Sequence, residues 1–126
     1  MTIVELSLKD FDNGDKLSNK YNGTITMVKF YSPDCVHCIN TQGEYEELDR
    51  LTSDYTNIVI AQLNCKEYPS IKKDSLNFGF KIDGIPLFVI FVNSLYVPSY
   101  TELINAKRKA DFWSEQLINI FTDNMY

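Results

Sequence analysis

Cys35-Val36-His37-Cys38 is the cluster in this chain whose residue types and spacing suit chemistry. The pair follows a segment that reads as a strand and opens one that reads as a helix. At a helix N-terminus, free backbone N–H groups and the helix dipole stabilise an anion. A thiolate therefore forms more easily at Cys35 than in a free peptide, and the thiolate is the nucleophile. Positions i and i+3 share one helical face, so Cys38 lies within reach of Cys35. Cys35 can attack a disulfide, and Cys38 can then resolve the mixed disulfide. His37 adds positive charge when protonated, and an imidazole suits proton movement near neutral pH.

Two blander readings stand beside this one. Half a zinc site looks the same. Here the candidates would be Cys35, His37, Cys38 and Cys65, the first three are crowded for a tetrahedral set, and no second close pair exists, so no metal is expected. A structural disulfide without turnover is the other. Three cysteines are too few, and odd in number, for a disulfide scaffold. Cys65 ends a predicted core strand, where free cysteine commonly serves as a small buried hydrophobe. A regulatory thiol or an intermolecular disulfide are its sharper alternatives.

The elements that must position the pair follow from patterning. Residues 24–31 are rich in β-branched and aromatic side chains and predict a buried strand. Ser32-Pro33-Asp34 breaks it. Asp34 suits an N-cap, with a helix over 35–51 weakened or bent at Gly43. Residues 57–65 and 87–92 predict two further core strands, and 3–6 a short first strand. Residues 10–20 suggest a short helix interrupted at Asn13-Gly14, and 70–78 another closed by Gly79. Asn93-Ser94 is a tight turn into a hairpin partner over 95–100, at a sheet edge because Pro98 lacks a backbone donor. Residues 107–121 predict an amphipathic helix with Phe112, Trp113, Leu117, Ile120 and Phe121 available for burial. The order β, α, β, α, β, α, β, β, α predicts an α/β fold: a central mixed β-sheet flanked by helices on both faces.

Bulk properties exclude other classes. The 126 residues suit one domain, 1–126, with 44% hydrophobic and 23% charged residues. A net charge of -5 without a basic stripe argues against nucleic acid as a partner. No apolar run approaches the ~18 residues of a membrane span. The N-terminus lacks the features of a signal peptide and the C-terminus carries no retention or lipidation motif. A cytosolic or virion location fits, as does a processed form. No flavin or nicotinamide site appears, so no cofactor is expected. Recycling then falls to a redox partner: an enzyme, glutathione or a membrane oxidase. Tyr96, Tyr100 and Tyr126 are candidates for a partner surface.

The segment Lys29-Phe30-Tyr31-Ser32-Pro33-Asp34-Cys35-Val36-His37-Cys38 resembles the strand-into-helix segment of the thioredoxin superfamily, protein disulfide isomerase domains above all. Gly79-Phe80-Lys81-Ile82-Asp83-Gly84-Ile85-Pro86-Leu87-Phe88 is similar to the loop before that family's cis-proline. Ala106-Lys107-Arg108-Lys109-Ala110-Asp111 resembles the segment that opens the last helix. The resemblance covers nearly the whole chain and implies a thioredoxin fold acting on protein thiols and disulfides. It makes Pro86 the cis-proline, with the Ile85 backbone pairing with an extended substrate strand. Histidine at position 37 is the isomerase type, the more oxidising one. Arg108 matches an arginine thought to help the second cysteine lose its proton; a solvated helix-start charge is its bland alternative.

Five positions depart from the family pattern. Asp34 replaces a Trp and opposes a neighbouring thiolate. Val36 replaces a Gly. Lys29 stands where a buried acid is usual, and either favours thiolates or snorkels outward. Leu87 follows the proline in place of Thr, and Gly43 replaces a helix proline. These departures bear on redox potential and rate, and they leave open a second function: a catalytically weak adaptor module.

Overall fold

A computed structural model describes residues 3–124. Its sheet has five strands: β1 (Val4–Glu5), β2 (Ile25–Tyr31), β3 (Ile58–Asn64), β4 (Leu87–Val92) and β5 (Leu95–Tyr96). Their order is β1-β3-β2-β4-β5. β3 runs parallel to both β1 and β2, and β4 runs antiparallel to β2 and β5. Four helices pack around it: α1 (Val36–Leu51), α2 (Ile71–Asp74), α3 (Pro98–Ile104) and α4 (Ala110–Asn124).

Alternation along β2 explains both faces. Ile25 and Met27 point into a core with Tyr45 and Leu48 of α1 and Trp113, Leu117 and Ile120 of α4. Val28 and Phe30 point into the other core, with Phe11, Leu17, Phe78 and Phe80. A strand buried on both faces reads as a near-continuous apolar run, broken here by Thr26 and Lys29. Trp113 is the anchor of the α4 face. Its ring centroid lies 4.8 Å from that of Phe88, and its Nε1 donates to Ile104 O at 2.9 Å, so burial leaves its one polar atom satisfied. α4 also docks on α1 directly, because the Glu44 carboxylate accepts from Ala110 N at 2.8 Å, one of the donors a helix start leaves free.

Several expected elements differ. Residues 10–20 form no helix; two 3-10 turns, Leu8–Phe11 and Asn19–Tyr21, drive Phe11 and Tyr21 into the core instead. The segment before Gly79 divides into α2 and a 3-10 turn, Ser75–Phe78, and Gly79 ends it at φ 102°, which glycine adopts freely. The last helix begins at Ala110, three residues later than expected, and extends to Asn124.

The hairpin partner is much shorter than expected. Asn93 (φ 51°) and Ser94 (φ 70°) make a two-residue turn of the primed kind, but β5 ends at Tyr96. Pro98 opens α3 at a position where its missing N–H costs nothing. α3 then completes the margin of β4: Ile90 N donates to Thr101 Oγ1 at 2.9 Å, Val97 N to Ile90 O at 3.0 Å, and Asn105 Nδ2 to Phe88 O at 2.7 Å.

Candidate functional site

β2 ends at Tyr31, and the chain reverses through Ser32-Pro33-Asp34 before α1 begins. Proline at the second turn position presets φ. Cys35 N closes the turn onto Ser32 O at 3.1 Å. Cys35 is thereby delivered to the helix N-terminus with extended backbone (φ -88°, ψ 113°) and is itself the N-cap. Its Sγ accepts the N–H of Cys38 at 3.2 Å. The expected cap, Asp34, lies one residue too early; its carboxylate is exposed and paired with Lys66, which offsets the charge it brings to the site.

Cys35 and Cys38 are free thiols in unlike surroundings. Cys35 is partly exposed, while Cys38 is 2% exposed. Burial, and next the hydrogen bond with Cys35, push the Cys38 thiol up to about 11. On the far side of Cys35, its Sγ lies 3.6 Å from Ile85 O, in donor geometry. Ile85 is partly exposed, Pro86 is buried, and the peptide between them is cis. The two distant motifs thus meet across one sulfur.

Other candidates stand around this centre. Val36, at 65% exposure, and His37 lie on the outer face of the first turn of α1. The His37 side chain makes no hydrogen bond among the described residues. Arg108 is exposed, its guanidinium 5.9 Å from the ring centre of Phe88. Its side chain makes no ion pair or hydrogen bond, with either cysteine or with any other group, among the described residues. Lys29 does not snorkel outward: it is fully buried beneath α1, and its Nζ donates to Cys38 O and to Gln42 Oε1, each at 2.8 Å.

Gln42 is a site residue that patterning did not single out, although its place one turn after Cys38 puts it on the same helix face. It also lines, with Tyr31, Pro33, Cys38, Ile39 and Gln62, an opening of about 260 Å³ beside Cys38. Lys66 carried no sequence signal either, since only folding brings it to Asp34. Cys65 is 6% exposed in the core and burial pushes its thiol up. Tyr96 packs on Phe80, and the Tyr100 hydroxyl accepts from Asn124 Nδ2 at 3.1 Å. Tyr126 lies outside the described residues. Among the described residues no helix is long and apolar enough to cross a membrane.

The thioredoxin family model matches residues 3–115. The chain belongs to the thioredoxin family. This thioredoxin domain is 34% identical over 65 residues to protein disulfide-isomerase 1 of Dictyostelium discoideum, a match that takes in 50% of the chain and 16% of that protein. It is 36% identical over 53 residues to protein disulfide-isomerase A3 of Gallus gallus, covering 42% of the chain and 10% of that protein. The domain therefore spans only a small part of the curated relatives it matches. In structure it superposes on the J-Trx1 fragment of ERdj5 with a TM-score of 0.70 at 19% identity, covering 95% of this chain and 52% of the other. The fold is that of a thioredoxin domain, a mixed five-stranded sheet and four helices, with an oxidoreductase-like Cys-x-x-Cys pair.

Proposed function

We propose that these 126 residues act as one thiol–disulfide oxidoreductase unit on protein disulfides and dithiols. The observation that carries this reading is the asymmetry of the pair: a reachable Cys35 sulfur at a helix N-terminus and a buried Cys38 thiol held up at about 11. A nucleophile must meet its substrate, whereas a resolving thiol is best kept protonated and out of reach until the mixed disulfide has formed.

In the reducing direction, the Cys35 thiolate attacks one sulfur of a substrate disulfide. The substrate S–S bond breaks and the departing sulfur leaves as a thiolate that takes a proton. Cys38 then loses its proton and attacks Cys35 Sγ. The Cys35–Cys38 disulfide forms, and the second substrate sulfur leaves. Two electrons pass from the pair to the substrate; oxidation of a substrate dithiol is the same sequence reversed. Ile85 and Pro86 hold an extended substrate backbone beside Cys35. His37 tunes the thiolate, and Asp34 and Val36 modulate its charge and access. Arg108 helps Cys38 shed its proton, which requires its side chain to leave Phe88. A redox partner, protein or small thiol, recycles the pair.

Equilibration of the pair against a glutathione series, read by mass after thiol trapping, tests this. A potential near that of disulfide isomerases, about -180 mV, supports oxidation or isomerisation of protein thiols. A value near -270 mV supports a reductase of the thioredoxin type. A pair that does not titrate overturns the catalytic reading.

One observation favours a slower adaptor. Val36 and Ile39, at 65% and 59% exposure, flank the cysteines with apolar surface suited to holding a partner. Insulin reduction by dithiothreitol separates the two: an adaptor leaves the rate at background, and Cys35→Ser then changes nothing.

A further inference from the structure

Two Asn-Gly pairs, Asn13-Gly14 and Asn22-Gly23, stand in this chain, and neither belongs to the cysteine site. Both sit in turns, and both glycines have positive φ, 69° and 77°. Asparagine before glycine has a chemistry of its own. The glycine nitrogen, with no Cβ beside it, is the least hindered backbone nitrogen for attack on the carboxamide of the preceding residue. That attack needs two freedoms: an N–H without a partner, and a side chain able to fold back on its own backbone. The two turns differ in both.

Asn22-Gly23 is clamped. Thr24 N closes its turn onto Tyr21 O at 3.2 Å. Gly23 N donates to Asn93 Oδ1 at 2.8 Å, and Asn22 Oδ1 accepts from the Ser94 hydroxyl, also at 2.8 Å. Ser94 is fully buried, and both partners belong to the turn between β4 and β5. Freeing this pair means lifting one turn off another. Asn13-Gly14 lies in open chain. Residues 12–16 are exposed, between Phe11 and Leu17, which are buried. Lys16 N reaches Asn13 O at 3.3 Å, a bond that closes the turn without using the Gly14 N–H. That N–H donates to no acceptor among the described residues, and a Cβ added at Gly14 meets nothing within 4 Å. The Asn13 carboxamide has one partner among the described residues, Asn19 Oδ1 at 3.3 Å, exposed and beyond the usual length.

We propose that Asn13 is a self-modification site of the folded chain, converting to aspartate and isoaspartate through Gly14, and that Asn93 and Ser94 protect the same dipeptide at Asn22-Gly23. Hydroxide takes the Gly14 N–H proton and the nitrogen attacks Asn13 Cγ. The Cγ–Nδ2 bond breaks, and Nδ2 leaves as ammonia with a proton from water. Water then opens the five-membered imide at either carbonyl. Opening at one gives aspartate, and opening at the other gives isoaspartate, with the main chain rerouted through the side chain. The sum is one water consumed and one ammonia released, and nothing is oxidised or reduced. The product adds a negative charge where Asp12 and Asp15 are sequence neighbours and where Asp12 and Asp74 share a surface cleft with Gly14 and Lys9. The isoaspartyl form also lengthens the main chain by a methylene between Phe11 and Leu17, whose burial fixes that span.

The reduced 126-residue chain, held folded at mildly alkaline pH and sampled over time, tests this. Cleavage after lysine places the two pairs on separate peptides, Asp10–Lys16 and Tyr21–Lys29. Each conversion raises the peptide mass by close to one dalton, and chromatography separates the aspartate and isoaspartate forms. Two hydrogen bonds stand between Asn22-Gly23 and reaction, so Asn13 should convert at least about tenfold faster than Asn22. In urea, where both clamps are gone, the two pairs should convert at comparable rates. Asn93→Gly keeps the positive φ of that turn and removes the acceptor for Gly23 N; it should bring the Asn22 rate up several-fold toward that of Asn13. The wild-type comparison decides the matter by itself where that variant does not fold. Equal rates in the folded chain, faster conversion at Asn22, or a folded chain inert at Asn13 while the unfolded chain reacts would each overturn the proposal.

Discussion

The Sγ of Cys35 accepts the backbone N–H of Cys38, so the sulfur proposed as nucleophile is also the N-cap of the helix that carries its partner. A cap satisfies a donor that the helix start leaves unpaired, and losing one typically costs about 1 kcal/mol. Cys35→Ser keeps an acceptor at that position and Cys35→Ala does not. The alanine variant is therefore expected to be less stable than the serine variant by roughly 1 kcal/mol in urea denaturation of the reduced protein. Equal midpoints would show that the sulfur does not cap.

Cys38 gives stability a dependence on alkaline pH. Burial pushes its folded thiol up to about 11, above the 9.0 of an unperturbed cysteine. Between those values the unfolded chain has given up this proton and the folded chain still holds it. The contribution is complete below about pH 9 and is lost as pH rises through about 11. Urea midpoints of the reduced protein should fall less steeply over this window in Cys38→Ala than in wild type. Iodoacetamide should likewise modify Cys35 well before Cys38 at neutral pH. Parallel midpoint profiles, or equal modification, would contradict the burial effect.

Gly43 sits on the exposed side of α1, and a Cβ added there meets nothing within 4 Å. The helix runs unbroken through it from Val36 to Leu51. An alanine at this position pays no steric penalty and restrains the unfolded chain. Gly43→Ala should raise stability by about 0.5–1 kcal/mol, with no change in the glutathione equilibrium of the cysteine pair. A lower midpoint would mean that α1 needs the flexibility of glycine here.

The layout of the site was legible because its main determinants are local. A β-branched and aromatic run, a proline turn and two cysteines three residues apart placed Cys35 and Cys38 at a helix start, and β2, β3 and β4 fell within a residue or two of their expected bounds. What escaped depended on tertiary partners. Whether Lys29 would bury or snorkel was decided by acceptors on α1, Cys38 O and Gln42, which no strand pattern contains. The segment over 10–20 has too few apolar residues for an amphipathic helix; Phe11 and Leu17, with Tyr21 just beyond, are instead single pegs into the core, Phe11 and Tyr21 from the ends of short 3-10 turns. Pro98 was compatible with a sheet edge and with a first helical turn, and α3 takes the second option because Thr101 and Asn105 then reach the β4 backbone.

Those two side chains have a consequence for how the molecule behaves in a crowd. An exposed strand margin invites a second chain to zip onto it, the first step toward edge-to-edge aggregation. Here β5 occupies the margin of β4 only opposite Phe91 and Val92. Val97, Thr101 and Asn105 take up the groups at Ile90 and Phe88 one by one. A stranger's strand therefore finds an interrupted template along β4, and protection comes from a helix turning across the edge, at the expense of a third and fourth rung of hairpin.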